Sequence, residues 1–243
     1  MKAVIGVPGY WKSHEEIPKL IAACNDNFIC AGSTLINTKT QAFFELEVYD
    51  HDPDLKISYA YCGRKTFTDE DIQAVDKHTC TVYIIGEAGT PAFASELLKA
   101  GGALLNAGGI AVKIESSGVA HLKKDWQRLI ENNELIDLYR AFVTIVKDHH
   151  FYLSYGMQVI GYPEGQVFFI GDNGVDDGQL QVLDVFLVSL LIDDLQLAND
   201  HTFALTTEKP KYVLKHVYYD KYPEDDLFFN PHGVWQLTKQ KQY

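Results

Sequence analysis

Positive charge is what this chain has least of. Lys and Arg total 21 against 33 Asp and Glu, a formal net charge of −12. Nucleic-acid binding rests on Lys and Arg neutralising phosphates, and an acidic surface repels them, so no nucleic-acid partner is expected. A basic protein partner is favoured instead, because opposite potentials steer encounter. Cysteine is also scarce. Cys24, Cys30, Cys62 and Cys80 all lie in the first third, and no Cys-x-x-Cys occurs. Long apolar runs are missing. The longest, residues 182–192, contains Asp184 and falls short of the ~20 residues that span a bilayer. The opening residues lack a secretory pattern, since their apolar stretch has the length of one strand and ends in Pro8-Gly9. These absences predict a soluble cytoplasmic protein with buried free thiols and no membrane partner.

Cofactor and metal fingerprints are missing too. There is no Gly-x-Gly-x-x-Gly and no Gly-Lys-Ser/Thr. Gly86-Glu87-Ala88-Gly89-Thr90-Pro91 joins a strand to a helix N-terminus, a place that suits an anion, but Glu87 repels phosphate. His149-His150 reads as a helix C-terminus, where the dipole favours a cation, and no His-Glu-x-x-His or His-x-His accompanies it. The acidic glycine loop at residues 171–178 fails the calcium-loop test, because the twelfth position counted from Asp172 is Leu183. No cofactor and no metal are expected.

What is present is a large apolar fraction, 47%, with 14 Tyr and 13 Phe. That supports a sizeable core and argues against disorder. A chain of 243 residues makes one large domain or two small ones. Residues 2–7 read as a strand. Ser13 with Glu16 reads as a capping box for a helix to about residue 23. Residues 42–49 and 55–62 read as strands joined by a hairpin turn at 50–54. Thr68 caps a helix at 69–77, and 81–85 is a buried strand. That order is β-α-β-β-α-β, the ferredoxin-like arrangement. A linker helix follows, capped by Thr90, with Pro91 at its first position and Gly108-Gly109 stopping it. The second half repeats the order. It has strands at 110–114, 151–155 and 166–170, one or two helices within 123–147, and a long apolar helix at 176–194. Further strands follow at 201–206, 212–219 and 233–238. The expectation is an α/β sandwich of two ferredoxin-like halves, 1–108 and 109–243, with extra C-terminal strands and one compact unit.

The tail, residues 222–237, is the most distinctive segment. Asn230-Pro231-His232-Gly233 is a turn signal, and a strand containing Trp235 follows it. Three other segments stand out: Glu115-Ser116-Ser117-Gly118-Val119-Ala120-His121, Ser154-Tyr155-Gly156-Met157 through Gly161-Tyr162-Pro163, and Thr202-Phe203. Together, and with the Pro8-Gly9-Tyr10-Trp11 opening, they resemble a bacterial family known as domain of unknown function four-two-six-one. The family pattern has a cysteine where this chain has Tyr155 and an aspartate where it has Glu164. The resemblance implies no established reaction. It implies a setting beside toxins and secretion-system effectors.

Two function classes follow, and a third stays open. The first is a non-enzymatic protein-binding module, an immunity protein that neutralises a toxin or effector. Its expected contact residues are Tyr10, Trp11, Glu224, Asp225 and Asp226, since loop aromatics and acids project without disturbing a core. The second is a small hydrolase or ligand-binding enzyme using Glu115, Ser116, Ser117 and His121, which follow a buried strand as ligand-binding residues of open sheets do. Against it, the Gly-x-Ser-x-Gly elbow is missing, and the commoner use of Ser before a helix is as a cap, with Glu115 and His121 satisfied by local hydrogen bonds. The third class is a structural or regulatory homodimer.

Overall fold

Residues 1–63, 66–169, 178–193, 195–218 and 221–240, which the computed structural model describes, build two β-sheets with helices between and beside them. The first sheet is made by β1 (Lys2–Gly9), β2 (Phe28–Ala31), β3 (Thr34–Asn37), β4 (Phe43–Asp50), β5 (Cys80–Glu87), β6 (Ala111–Ile114) and β7 (Val119–Leu122). Its order is β2-β3-β4-β5-β1-β6-β7, and every neighbouring pair is antiparallel. Helices α1 (Ile17–Ala23) and α4 (Pro91–Asn106) cover one face, while α2 (Leu55–Cys62) and α3 (Asp69–Asp76) lie on the other.

Local signals explain several of these elements. Thr90 Oγ1 accepts from the Phe93 amide at 3.2 Å, and Pro91 opens α4. The Gly101-Gly102 pair inside α4 gives up helix propensity for close approach. A Cβ on Gly102 would sit 2.3 Å from Ile130 of α5 (Lys123–Asn132), and one on Gly101 3.0 Å from Trp126. At α3, Thr68 and Asp71 form a reciprocal capping box, with bonds of 3.2 and 2.9 Å. Thr68→Ala is expected to lower stability by about 1 kcal/mol. A urea midpoint equal to wild type would show that this cap is idle.

After α5 come α6 (Leu135–Phe142), β8 (Thr144–Lys147), β9 (Phe151–Tyr155), α7 (Met157–Ile160), β10 (Glu164–Phe168), α8 (Gln179–Ile192), β11 (Thr202–Phe203), β12 (Tyr212–Val217) and β13 (Val234–Lys239). The second sheet runs β11-β12-β13-β10-β9-β8. Its β10–β13 pair is parallel and the others are antiparallel. One core joins both sheets. Val7 and Ile84 of the first sheet, Leu98, Leu104 and Trp126 of the helices, Phe186 and Leu187 of α8, and Leu214 and Leu237 of the second sheet all belong to it. The tail behaves as its sequence suggests. The Gly233 amide bonds to Asn230 O at 3.1 Å, closing the turn, and Trp235 is buried in β13.

The α/β class holds, but the halves drawn from sequence are not the ones that form. Residues 55–62 are a helix, not a strand, and 50–54 leads into it rather than closing a hairpin. Leu55, Tyr59 and Cys62 share one helical face, and Tyr59 Oη donates to Gly6 O at 3.0 Å beneath it. The split β-α-β order does exist, as β4-β5-β1-β6 with α1 and α4 as crossovers. Its second helix is α4 and its last strand β6, so Gly108-Gly109 lies inside this sheet, with Gly109 bridged to Gly9. Ser13 makes no side-chain cap, and Glu16 instead accepts from the Lys12 amide at 2.8 Å. Ser117 caps no helix either, because β7 intervenes before α5. His149-His150 sits in the β8–β9 hairpin rather than at a helix end. Of the glycine loop at 171–178, all but Gly178 lies outside the described residues.

Candidate functional site

The four residues of the hydrolase reading do not converge. Glu115 and His121 leave the β6–β7 hairpin on opposite faces. Glu115 pairs with Lys113 at 2.7 Å, on the same face as Tyr59 and Tyr83. His121 lies on the helix side, its ring 5.4 Å from Trp126 and its Nε2 2.9 Å from Ala141 O. Burial lowers the His121 pKa below the usual histidine value. The cleft beside it, about 320 Å³, also holds Arg128 and Arg140, but each is paired with an aspartate three residues earlier. Ser116 and Ser117 occupy the turn, buried, with hydroxyls that have no hydrogen-bond partner among the described residues. Ser117 stays in that turn, while His121 lies within β7 beyond it, its ring held by Trp126 and Ala141.

The distinctive segments do meet, around a buried carboxylate. Gly156 lies against Ser117, whose Cβ is 3.1 Å from where a Gly156 Cβ would be. Such a Cβ would also strike Phe142 O at 2.0 Å, so only glycine fits there, at φ +109°. Beside it Glu164 is 3% exposed. Its Oε1 accepts from the amides of Gly156 (3.1 Å) and Gln158 (3.4 Å) and from Asn230 Nδ2 (3.1 Å), and Ser154 Oγ donates to Oε2. Burial pushes the Glu164 carboxyl up to about 7, against the opposing pull of the bonds from Ser154, Asn230 and the two amides. Gln158 Nε2 reaches Leu227 O at 3.2 Å and Asn230 Nδ2 reaches Tyr162 O at 2.9 Å. The segments at 115–118, 154–164 and 227–233 therefore form one internal lock between the two sheets. Glu164 ties that lock together.

The expected contact residues separate as well. Trp11 is a core residue, 2% exposed, and its Nε1 donates to Ala107 O at 2.8 Å. That corrects its assignment to a partner surface: a glycine-walled slot beside Gly9 and Gly108 accepts the indole. Tyr10 is exposed and donates to Ala74 O at 2.7 Å. Glu224 and Asp225 are exposed, while Asp226 accepts from the Phe228 amide at 2.8 Å and shapes its turn. Tyr10 follows the C-terminal end of β1. The acidic turn leads into Leu227 of the lock, and the lock meets the β6–β7 hairpin, at the strand's other end, through Gly156 and Ser117. The two are not one patch.

No family model matches the chain, and no curated protein or solved structure is similar to it.

The outer face of the first sheet is only half covered. Helix α2 rests on the β1, β6 and β7 side, through Leu55 and Tyr59 against Ala111 and Ala120. The β4–β5 side lies open. Cross-strand rows there read Ile29–Ile36–Phe43, Glu45–Ile85–Val4, Glu47–Tyr83–Gly6 and Tyr49–Thr81–Pro8. Phe43 is 70% exposed, Tyr49 55% and Ile29 44%. A groove of about 660 Å³ runs between Val4, Thr81, Tyr83, Ile85 and Tyr49, with Glu47, Asp50 and Asp52 along it. Among the described residues neither Glu47 nor Asp52 pairs with a cation, and Asp50 faces only His14, at 3.1 Å. Burial, and then the charges of Glu115 and Asp52, push the Tyr83 phenol up to about 12. Sequence reading passed over this surface. Its signal was the alternation in β4, where Phe43, Glu45, Glu47 and Tyr49 share a face opposite Phe44, Leu46 and Val48.

Proposed function

We propose that the protein is a non-enzymatic binding module for a basic partner protein, and that the open face of the seven-stranded sheet is its docking surface. The exposed rows on that face carry the reading. An antiparallel sheet that turns one face to water normally places polar side chains there. Here Ile29, Ile36, Phe43, Val4, Ile85 and Tyr49 occupy it, and a contiguous exposed apolar patch marks an interaction site. Glu45, Glu47 and Asp52 accompany the patch, in a chain of net charge −12, which selects a basic surface over an acidic one. A basic toxin or secretion-system effector, neutralised by an immunity protein of this kind, fits that chemistry. The four free thiols support an encounter in the cytoplasm. The exposed Glu224 and Asp225 add negative potential elsewhere and steer approach without forming the contact. The hydrolase reading gains nothing from the geometry, with Glu115 and His121 on opposite sheet faces.

The test is binding to a basic protein captured with this chain from its native host, using wild type, Phe43→Ser and Glu224→Lys/Asp225→Lys. Phe43→Ser is expected to weaken binding at least about tenfold while leaving the fold intact, since exposed substitutions change stability by within about 0.5 kcal/mol. The charge reversal is expected to slow association at low salt and to leave dissociation unchanged. Deuterium-exchange protection on β3, β4 and β5 is expected in the complex. Protection confined to residues 222–229, or full affinity in Phe43→Ser, overturns the assignment.

A further inference from the structure

We propose that the groove between Tyr49, Thr81 and Tyr83 is a socket for one arginine side chain of the partner. The inference rests on the docking reading above and names the group that the open face receives. Its starting point is Thr81. This side chain is 3% exposed, lines the groove, and has a hydroxyl with no hydrogen-bond partner among the described residues. A buried hydroxyl without a partner costs free energy, so the site gains by receiving one.

The surroundings decide what that partner is. Two carboxylates, Glu47 and Asp52, reach the groove with acceptor capacity left over. Glu47 receives only the Tyr49 hydroxyl, at 2.8 Å on Oε2. Asp52 receives the Asp54 amide at 2.9 Å on Oδ1. The second oxygen of each remains, together with Thr81 Oγ1. An anionic ligand meets repulsion here, and a neutral one leaves the carboxylates unanswered. A multivalent cationic donor meets acceptors on several sides. The aromatic walls narrow the choice further. Tyr49 and Tyr83 stand edge to face, centroids 5.5 Å apart at 86°, and Tyr83 leans over Gly6. A guanidinium is planar, carries five N–H donors in a fixed fork and stacks on aromatic rings. An ammonium is a compact, strongly hydrated charge that does none of this as well. Glu47, held by the Tyr49 hydroxyl, is preset to receive one arm of the fork.

The experiment titrates the full chain, at low salt, with three capped pentapeptides that differ only at a central arginine, lysine or citrulline. Amide NMR shifts report the site. The arginine peptide is expected to move the signals of Tyr49, Thr81, Tyr83 and Asp52 and to saturate. The lysine peptide is expected to bind about threefold or more weakly. Citrulline, which keeps the shape and loses the charge, is expected to give no saturable shift. Thr81→Val, which replaces the lone hydroxyl by a methyl, and Tyr49→Ala are each expected to weaken the arginine peptide by about five- to tenfold. Equal binding of lysine and arginine, binding of citrulline, or shifts outside the groove overturns the socket. The two layers fail separately. Loss of partner binding in Phe43→Ser with no arginine effect leaves the docking face standing and removes the socket. Arginine binding with an undiminished partner complex in Phe43→Ser removes the docking face, and with it the partner's arginine as the occupant, leaving only an arginine-selective groove.

Discussion

Glu164 alone is expected to make the protein about 3 kcal/mol less stable at pH 8 than at pH 4.5. Its carboxyl is raised from an ordinary 4.5 to about 7 in the folded state, by burial. Between those values the folded protein holds more protons than the unfolded chain, so stability falls as pH rises. The contribution is fully present below about 4.5 and lost once pH passes about 7. At roughly 1.4 kcal/mol per unit, the gap gives the 3 kcal/mol above. Glu164→Gln is the clean probe. The amide keeps the shape, its oxygen still accepts from Gly156, Gln158 and Asn230, and its nitrogen donates to Ser154 Oγ, which already accepts from the Gly165 amide at 2.9 Å. Urea unfolding across pH about 4.5 to 8 is expected to show the variant overtaking wild type as pH rises. His78 and His121, both pushed below the usual histidine value by burial, act in the opposite sense. The difference between the two proteins therefore isolates the carboxyl, rather than either curve alone. Parallel curves would mean that Glu164 titrates normally.

Trp11→Ala is expected to cost about 3–5 kcal/mol, the range for truncating a buried aromatic. The indole is enclosed, its Nε1 hydrogen bond to Ala107 O is satisfied, and its loss leaves both a void and a carbonyl without its donor. Its neighbour gives the control. Tyr10→Ala removes an exposed ring and one hydrogen bond to Ala74 O, and is expected to cost no more than about 1 kcal/mol. Thermal melts of the two variants decide the matter. A Trp11→Ala midpoint as high as that of Tyr10→Ala would return Trp11 to the surface.

Sequence alone determined the parts whose causes are local. The start of α3 is written in Thr68 and Asp71, and that of α4 in Thr90-Pro91, because a cap satisfies amides only three residues away. The strands β1, β4, β5 and β9 follow from short β-branched and aromatic stretches, and α8 from an apolar run too long for a strand. The net charge of −12 is composition and needs no structure. Tertiary structure decided the rest, through contacts far apart in the chain. Residues 55–62 carry Ile, Tyr and Leu in a pattern that serves either period. Only the seat of Tyr59 beneath Gly6, 53 residues away, makes them a helix. Trp11 looks like a loop aromatic until Ala107 and Gly108 close over it. Glu164 reads as an ordinary turn acid, yet Ser154 and Asn230 surround it once the tail pairs with β10. The groove depends on which half of the sheet α2 covers. That is set by long-range packing on β7 and β1, and no spacing within β4 or β5 encodes it.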